Sequence, residues 1–441
     1  MINLELSLQR LLTFRLQIHA SFTCRADTLF ELIEALLLTP ISSAVELSTS
    51  PAFRRCFASV YDALRQGRLE RTRLRAALAA AEPEDAITVA GYAVYATDST
   101  ITARPDAATL PDRSQVYSAQ HGKAVPGHQF SWLARIVARG QSWFAPREVE
   151  RIPSTGTPAA VAAAQVKTLA AEATPTAPKV VVGDSRYAHR SFLGVFVGLA
   201  HVQALVRLAC NRVLYGPPPP KTGQRGAPKK HGAKFRLQAP PPPEQQVEIK
   251  LFGYLVRLSA WANLHFKKLP QLVGLVLRVE FLKADGTPRY QRPLWLFWSG
   301  PLDMALGDLV VMYLLRFGIE HFFRFLKQRL GLLAAYGTDL TAAENWVWVV
   351  ALAYWQLLLA RDLVIPQHRP WDPRGRRDPA RPLTPGQVRQ AWAVFSRGLG
   401  TPAAAPRPAG KAPGRAVGFH PRPRPRYPVV KKSQVMAAAA A

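Results

Sequence analysis

The sequence predicts a mixed α/β fold. Residues 1 to about 82 carry apolar side chains at helical spacing, and from Ala86 onward short apolar strands alternate with helical segments. Strands that alternate with helices are typical of a mixed sheet covered by helices. At 441 residues, the chain is long enough for a buried core and for two or three structural units.

The charge of the chain points to a polyanionic partner. There are 57 Lys and Arg residues against 29 Asp and Glu, so the formal net charge is +28. This excess favours nucleic acid, with an anionic membrane surface as the alternative. The most apolar stretch, from Trp346 to Ala360, is too short to cross a bilayer, and the N-terminus lacks the apolar core of a signal peptide. The three cysteines lie far apart without zinc spacing, so we expect a reduced, cytoplasmic protein.

Residues 1–82 are predicted to form an N-terminal helical domain. Leu29, Ile33, Leu36 and Leu37 recur at helical spacing. The domain also carries a series of basic residues: Arg54, Arg55, Arg65, Arg68, Arg71, Arg73 and Arg75. A charged surface of this kind is either a solvated face or a DNA-binding face, and the sequence leaves both readings open.

Two apolar strands each end beside an aspartate. The run Ile87–Ala96 is predicted to be a strand that ends near Asp98, and Lys179–Gly183 is predicted to be a buried strand that ends at Asp184. The other elements predicted for this part are strands at Phe130–Val137, at Trp143–Glu148 and near Leu205–Asn211, and helices at Val161–Ala173 and from about Ala188.

A proline-rich basic segment then interrupts the pattern. Pro217–Pro220 and Pro240–Pro243 bracket a stretch, Lys221–Lys234, that has no acidic residue, and we expect a mobile basic loop there. Beyond it the sequence predicts strands at Val247–Ser259, Val273–Leu282 and Pro293–Trp298, followed by one long helix over Asp303–Leu333.

The last segment, residues 366–441, is rich in Pro, Arg and Ala. It holds 15 Lys and Arg residues against 2 Asp and Glu. Such a composition does not favour a core, so we expect a basic tail that is extended or disordered.

Asp98 and Asp184 share a context that suits metal binding. Each follows an apolar strand and precedes a hydroxyl residue. Carboxylates at the ends of neighbouring strands converge on one point, and Mg²⁺ prefers such hard oxygen ligands. The alternative is that each aspartate caps a turn or a helix.

A line of polar side chains is predicted on the long helix. Tyr313, Arg316, Glu320 and Lys327 are spaced i, i+3, i+7 and i+14, which places them on one face of a continuous helix. A separate apolar stripe is formed by Leu315, Ile319, Phe322, Leu326 and Leu330. The helix therefore offers an apolar face to a sheet and a polar line beside it, unless the polar line is only a solvated face.

These motifs resemble a known family. The spacing of Tyr313, Arg316, Glu320 and Lys327 matches the Y-(2)-R-(3)-E-(6)-K signature of bacterial insertion-sequence transposases of the DDE type. The segments Asp98–Thr100 and Asp184–Tyr187 resemble the first and second motifs of that family. The resemblance implies a ribonuclease-H-like catalytic core from residues 83–212 and 296–365, separated by a strand-rich insertion over residues 213–295.

The resemblance also implies a mechanism and a set of roles. Asp98, Asp184 and Glu320 would be the catalytic residues and the ligands of two Mg²⁺ ions, for which Mn²⁺ is an alternative. The DNA backbone would be contacted by Tyr313, Arg316 and Lys327 on the signature helix and by Arg225, Lys229 and Lys230 in a basic run similar to one in the insertion of some members.

Some related transposases flip a base onto a tryptophan. Trp298, at the end of the last strand before the signature helix, is the candidate for that role, with burial in the core as its alternative. Trp295 lies between Leu294 and Leu296 and is expected in the core. Three histidines are weaker candidates for the site: His121, His128 and His189.

The sequence thus predicts a transposase that cleaves and rejoins double-stranded DNA at transposon ends and in target DNA. Synapsis of two ends implies a homodimer on DNA, associated with the nucleoid. The alternatives are a ribonuclease-H-like nuclease that cuts without joining strands and an inactive relative that only binds DNA. The complete carboxylate set argues against the inactive relative.

Overall fold

A computed structural model of the chain describes residues 4–40, 43–118, 121–138, 142–172, 177–220, 229–334, 337–365, 382–408, 410, 414–420 and 422–431. The helices are α1 (Leu4–Ser21), α2 (Ala26–Leu38), α3 (Ala44–Ser48), α4 (Ala58–Gln66), α5 (Arg71–Ala80), α6 (Pro158–Ala170), α7 (Arg190–Leu193), α8 (Leu306–Leu315), α9 (Gly318–Arg329), α10 (Leu340–Leu359) and α11 (Pro385–Phe395). The strands are β1 (Phe22–Cys24), β2 (Arg68–Leu69), β3 (Thr88–Val89), β4 (Tyr92–Ala103), β5 (Ser114–Ser118), β6 (Lys123–Ile136), β7 (Phe144–Ile152), β8 (Lys179–Gly183), β9 (Val202–Arg207), β10 (Val213–Tyr215), β11 (Lys234–Arg236), β12 (Gln245–Leu251), β13 (Tyr254–Phe266), β14 (Leu269–Leu282) and β15 (Leu294–Trp298).

None of the helices in these ranges has the length and apolar character needed to cross a membrane.

The N-terminal part is helical, as its apolar spacing predicts. On α2, Leu29, Ile33, Leu36 and Leu37 are all buried. They share a hydrophobic core with α10, so the N-terminal helices pack directly on the rest of the molecule. The division of the chain into domains stays a prediction.

Most of the N-terminal arginines bind groups of the same chain. Arg54 and Arg55 both form ion pairs with Glu31, whose side chain is fully buried, at 2.7 and 3.1 Å. The other ion pairs of this series are Arg55–Asp27, Arg65–Asp339, Arg71–Glu150, Arg73–Glu70 and Arg75–Glu148. Arg68 donates to backbone carbonyls. These arginines therefore have structural roles, and DNA contact by this face remains a prediction.

A sheet of 13 strands runs through the described part of the chain. Its order is β11-β10-β13-β14-β15-β9-β8-β4-β6-β5, with β12 on β13, β3 on β4 and β7 on β6. Strands β4, β8 and β9 are parallel to one another, and the other pairs are antiparallel. The α8–α10 helices and the N-terminal helices share a core with one face of the sheet, and α6 and α7 share a core with the other. The predicted mixed α/β fold is confirmed.

The parallel pairing fixes the place of the two aspartates. The register runs from Ala93 opposite Lys179 to Ala96 opposite Val182. Two residues further along each strand, the same register brings Asp98 level with Asp184. The prediction that β4 ends near Asp98 is wrong, because the strand continues to Ala103 by pairing with β6. Asp98 instead lies where β4 loses its partner β8.

The insertion extends the same sheet. Strands β12, β13 and β14 form an antiparallel meander, and β14 joins β15 at the centre of the sheet. The single strand expected over Val247–Ser259 is two strands, because Phe252 and Gly253 form a two-residue turn with φ of 52° and 81°. Two positive φ values in succession are typical of a tight hairpin, which glycine favours.

The long helix expected over Asp303–Leu333 is also two helices. At the break, the amides of Arg316, Phe317 and Ile319 each donate to the carbonyl three residues earlier. Such bonds tighten a helix and turn its axis, and Gly318 at the start of α9 has a low helix propensity. Tyr313 and Glu320 therefore lie on different helices, and the predicted single polar face does not form.

Part of the C-terminal tail belongs to the core. Val388, Ala391 and Trp392 of α11 are all buried, and the Leu383 carbonyl accepts a hydrogen bond from the Trp143 indole at 2.7 Å. The expectation that the tail builds no core is wrong for this segment. The buried residues of α11 recur at helical spacing, although the surrounding composition is rich in proline and arginine.

Candidate active site

Asp98 and Asp184 form a pair at the edge of the parallel strands. Their side chains are 14% and 22% exposed. Asp98 follows Val94 and Ala96 on the same face of β4, because alternate residues of a strand share a face. That face is covered by α8 and α9. Sheet hydrogen bonding thus brings two carboxylates together beneath the helices that carry the signature residues.

Two arginines neutralise this pair. The Arg186 guanidinium bridges both carboxylates, with Nε 3.0 Å from Asp184 Oδ2 and Nη2 3.4 Å from Asp98 Oδ1. Arg316 approaches from the buried side, with Nη1 3.6 Å from Asp98 Oδ2. The backbone N–H of Ser99 also donates to Asp98 Oδ1 at 2.7 Å. Asp98 is therefore held from three directions.

Burial nevertheless raises the pKa of the Asp98 carboxyl above its ordinary value, and the negative charge of Asp184 adds to the rise. The Ser99 amide and the two arginines oppose it. A buried carboxylate beside a second carboxylate is costly to ionise, and a cation between them relieves that cost. The electrostatics of the pair therefore favour cation binding.

Arg316 occupies a buried position that sequence spacing does not reveal. Its side chain is 7% exposed and its guanidinium lies 5.5 Å from the Tyr313 ring centre and 5.0 Å from that of Phe317. Tyr313 is fully buried, and its hydroxyl has no hydrogen-bond partner among the described residues. The predicted contacts of Tyr313 and Arg316 with DNA do not fit this burial. Arg316 instead pairs with Asp98, and the Tyr313 ring packs against the Arg316 guanidinium.

Lys327 is half-buried and interacts electrostatically with Asp98 of the aspartate pair. Burial lowers the pKa of its ammonium group, and the charge of Asp98 opposes that decrease. Lys327, two turns beyond Glu320 on α9, is therefore close enough to Asp98 to interact with its charge. This position fits its predicted role beside a phosphate.

Glu320 stands apart from the two aspartates. It lies in the first turn of α9 and is exposed. Within the described ranges, no three His, Cys, Asp or Glu side chains are close enough together to hold a metal ion. The carboxylate oxygens of Asp98 and Asp184 suit a hard divalent cation. The Arg186 guanidinium already places a positive charge between these two carboxylates. Glu320 does not complete that set in this arrangement.

Trp298 does not present a stacking surface. It is fully buried, donates its indole N–H to the Pro301 carbonyl at 2.8 Å and packs edge-on to Tyr92. A Cβ atom on Gly300 would lie 2.2 Å from the indole, so backbone closes tightly over the ring. The predicted role of Trp298 in base flipping conflicts with this burial. Trp295 is also buried, as expected.

The three histidines have local structural partners. His128 is buried and hydrogen-bonded to the Pro111 carbonyl at 2.9 Å, and burial lowers its pKa. His121 bonds Ser118, and His189 bonds Ser191 at the start of α7. Of the basic residues predicted in the insertion, Lys229 and Lys230 are exposed, and Arg225 lies outside the described residues.

Two residues near the pair were not predicted to act there. Arg186 is one, although its place two residues after Asp184 was a usable signal. Tyr187 is the other: it is fully buried, and burial together with the two aspartates raises its pKa. A Cβ on Gly183 would lie 2.9 Å from the Tyr187 side chain, so glycine there allows the tyrosine to pack under the strand end.

Comparison with known proteins bears on this site. A structural search aligns 89% of this chain with 78% of a piggyBac transposase chain, taken from a cryo-EM structure of its synaptic complex with hairpin DNA, at 9% identity and a TM-score of 0.41. No curated protein matches the sequence.

A family comparison is more informative. Residues 17–263, more than half of the 441 residues, match the family model described as DDE superfamily endonuclease. The matched region contains Asp98 and Asp184 but ends before Glu320. The chain therefore belongs to the DDE superfamily of endonucleases.

Proposed function

We propose that the protein is a DNA transposase that cleaves DNA at the ends of an insertion sequence and joins those ends to target DNA, with Mg²⁺ bound by Asp98, Asp184 and Glu320. The observation that carries this proposal is the in-register pair of Asp98 and Asp184 in a chain of the DDE endonuclease superfamily. Membership supports cleavage of nucleic acid. The signature spacing from Tyr313 to Lys327 is what favours a transposase.

The two aspartates are prepared for phosphoryl transfer by the sheet. Backbone hydrogen bonds of β4, β6 and β8 set their separation before any ligand arrives. When bound, Mg²⁺ would activate the attacking oxygen and stabilise the leaving one. In such reactions the protein contributes mainly positioning and charge neutralisation. Arg316 holds the Asp98 carboxylate, and Lys327 offers a cation beside it.

Two rearrangements complete the proposed site. Arg186 gives up its two ion pairs and leaves the space between the aspartates, and its 56% exposure leaves room for the side chain to turn towards solvent. Helix α9 then carries Glu320 towards the pair. The break between α8 and α9 supplies the hinge, because the tightened turn at Arg316–Gly318 separates the two axes.

The partner proposed is double-stranded DNA, at both transposon ends and target. A net charge of +28 suits a phosphate backbone. Joining two ends to one target requires two active sites, so we propose a homodimer that assembles on DNA in the nucleoid.

The second candidate is a nuclease that cuts without joining strands. The family description, endonuclease, favours cleavage and by itself requires no strand transfer. An inactive DNA-binding protein is disfavoured, since both aspartates and the glutamate are retained.

An assay of purified full-length protein separates these functions. Labelled DNA from either side of the gene is incubated with Mg²⁺ and a supercoiled plasmid. A transposase yields labelled DNA covalently joined to plasmid, whereas a nuclease yields only cut DNA. Absence of both products with Mg²⁺ and with Mn²⁺ would contradict the proposed function.

A further inference from the structure

A basic cleft begins four residues beyond Asp184 along the chain, and of the predicted site residues that the structure describes only His189 lines it. Its cavity volume is about 560 Å³. Three separate segments form it: the start of α7, the connection between β9 and β10, and the turn between β13 and β14. They contribute four cations: Arg190, Arg212, Lys267 and Lys268.

The charge of this cleft is not balanced within the described chain. No Asp or Glu lines it. None of the ion pairs found among the described residues includes any of the four cations. Arg190, Lys267 and Lys268 are exposed, and Arg212 is half-buried. Elsewhere in the chain arginines are commonly paired, as Arg54 and Arg55 are with Glu31. Four unpaired cations facing one cavity indicate an anionic ligand from outside.

The position of the cleft identifies that ligand. Arg190 is six residues beyond Asp184. Phe192 of α7 packs edge-on against Tyr187, which lies against Gly183 at the end of β8. The opposite wall, at Lys267 and Lys268, belongs to the insertion and reaches the core because Leu269 packs against the buried cluster that includes Phe192 and Phe196. A strand whose phosphate is cut at the aspartates would continue into this space.

The cleft also has an apolar wall. Phe266 and Val213 line it, and the Phe266 ring packs edge-on against Phe297 at 4.9 Å. Apolar surface beside cations matches a nucleic-acid backbone, in which sugars alternate with phosphates. It is less suited to an isolated inorganic anion.

We propose that this cleft binds the DNA backbone next to the cleaved phosphate, with Arg190, Arg212, Lys267 and Lys268 contacting successive phosphates. The inference rests on the proposed function for the identity of the ligand. It adds the path that DNA takes, from the aspartates towards the β13–β14 turn, and assigns Lys267 and Lys268 of the insertion a part in holding the DNA.

The first test compares two charge variants of the full chain. The cleft variant carries Arg190→Gln, Arg212→Gln, Lys267→Gln and Lys268→Gln. The control variant carries Lys250→Gln, Lys283→Gln, Arg289→Gln and Arg292→Gln, which are exposed residues at the far end of β13 and β14. That end is about 40 Å away at 3.3 Å per strand residue. Both variants lose four positive charges.

Binding to a short mixed-sequence DNA duplex is measured by fluorescence anisotropy in EDTA, from about 50 to 200 mM salt. Each lost phosphate contact lowers the slope of log affinity against log salt by about 0.9. We expect the cleft variant to lose about 2 or more from the slope and the control to lose less than about 1. Equal losses, or none, would overturn the proposed cleft.

The second test needs no substitution. Cys210 is exposed and lies between two residues that line the cleft, while Cys24 and Cys56 are exposed in the N-terminal part. Alkylation of each cysteine is followed by mass spectrometry with and without the duplex. DNA in the cleft slows alkylation of Cys210 several-fold. An unchanged rate at Cys210, while the duplex is bound, would rule the cleft out.

The two proposals fail in different ways. A wild-type protein that binds no DNA contradicts the proposed function and the cleft together. Mg²⁺-dependent cleavage with an unprotected Cys210 contradicts the cleft alone.

Discussion

The two halves of the candidate site are built by different means. Asp98 and Asp184 lie on adjacent parallel strands, and their alignment follows from backbone hydrogen bonds that run from Ala93 to Ala96. Glu320 lies on α9, which reaches the sheet only through side-chain packing of residues such as Ile319 and Phe322. Backbone hydrogen bonds bring the two aspartates together, whereas Glu320 lies apart from them.

This difference between strand and helix shows which residues of such a metal site can change position. A strand register changes only by breaking many hydrogen bonds, and a slip of one residue would turn Asp98 to the other face. A helix next to a break in its backbone can shift with smaller losses. The aspartate pair is therefore the rigidly held part of the proposed site, and Glu320 is the part that the proposed function requires to move.

Removing each carboxylate gives the largest expected effect. Asp98→Asn, Asp184→Asn and Glu320→Gln should each lower Mg²⁺-dependent cleavage by about 1000-fold or more, since metal activation is worth several kcal/mol. Rates of plasmid nicking are compared with those of Asp106→Asn, an exposed acid outside the site. Near-normal cleavage by Glu320→Gln would show that Glu320 does not belong to the active site.

Substitution of Arg316 tests whether the aspartate pair depends on the buried Arg316 guanidinium. Arg316→Gln leaves Asp98 without its inner partner and removes a guanidinium from between two rings. We expect a loss of about 2 kcal/mol in the free energy of unfolding, because removing one member of a buried pair strands the other. Lysine should not restore it, because it lacks the planar group that covers the rings.

Urea unfolding of the Arg316 variants is compared with that of Arg324→Gln. Arg324 is exposed on α9, the helix that follows Arg316 in the chain. If Arg316→Gln and Arg324→Gln unfold at the same urea concentration, Arg316 is not what holds Asp98.

Substitution of Arg186 tests whether this arginine competes with a divalent cation for the aspartate pair. Arg186→Gln removes a guanidinium that bridges both aspartates, so divalent ions should bind more tightly. Because this arginine is half exposed, the gain should be modest, about 2- to 10-fold, as for solvent-exposed ion pairs. Mn²⁺ binding is measured by electron paramagnetic resonance, without DNA. Weaker binding than in wild type would show that Arg186 supports the metal site instead of occupying it.

The smallest effect concerns the strand that flanks β4. His128 on β6 lies opposite Thr102, four residues beyond Asp98, and burial lowers its pKa below 6.5. The unfolded chain then takes up a proton before the folded protein does, so stability that is present above pH 6.5 is lost as the pH falls through that value. The Tm of wild type should fall with acid relative to that of His128→Gln. Parallel curves for the two proteins would show that His128 does not link pH to this part of the sheet.

Much of the site can be read from local patterns. Apolar runs before Asp98 and Asp184 predicted neighbouring strands, because buried parallel strands need apolar residues on both faces. The spacing around Glu320 predicted a helix with one apolar side. By itself the sequence therefore determined the strand–helix alternation, the mixed sheet, the basic character of the chain and the identity of the three acidic candidates.

The tertiary structure decided which of those residues meet. Arg186 and Arg316 close on Asp98 from opposite sides, Tyr313 and Trp298 are fully buried, and α11 joins the core from within a basic tail. The helix broke at Arg316 although its apolar spacing continues unbroken. These outcomes depend on contacts between segments far apart in the chain, and the energy of burying a charge or ring is set by its neighbours in space, which local spacing does not encode.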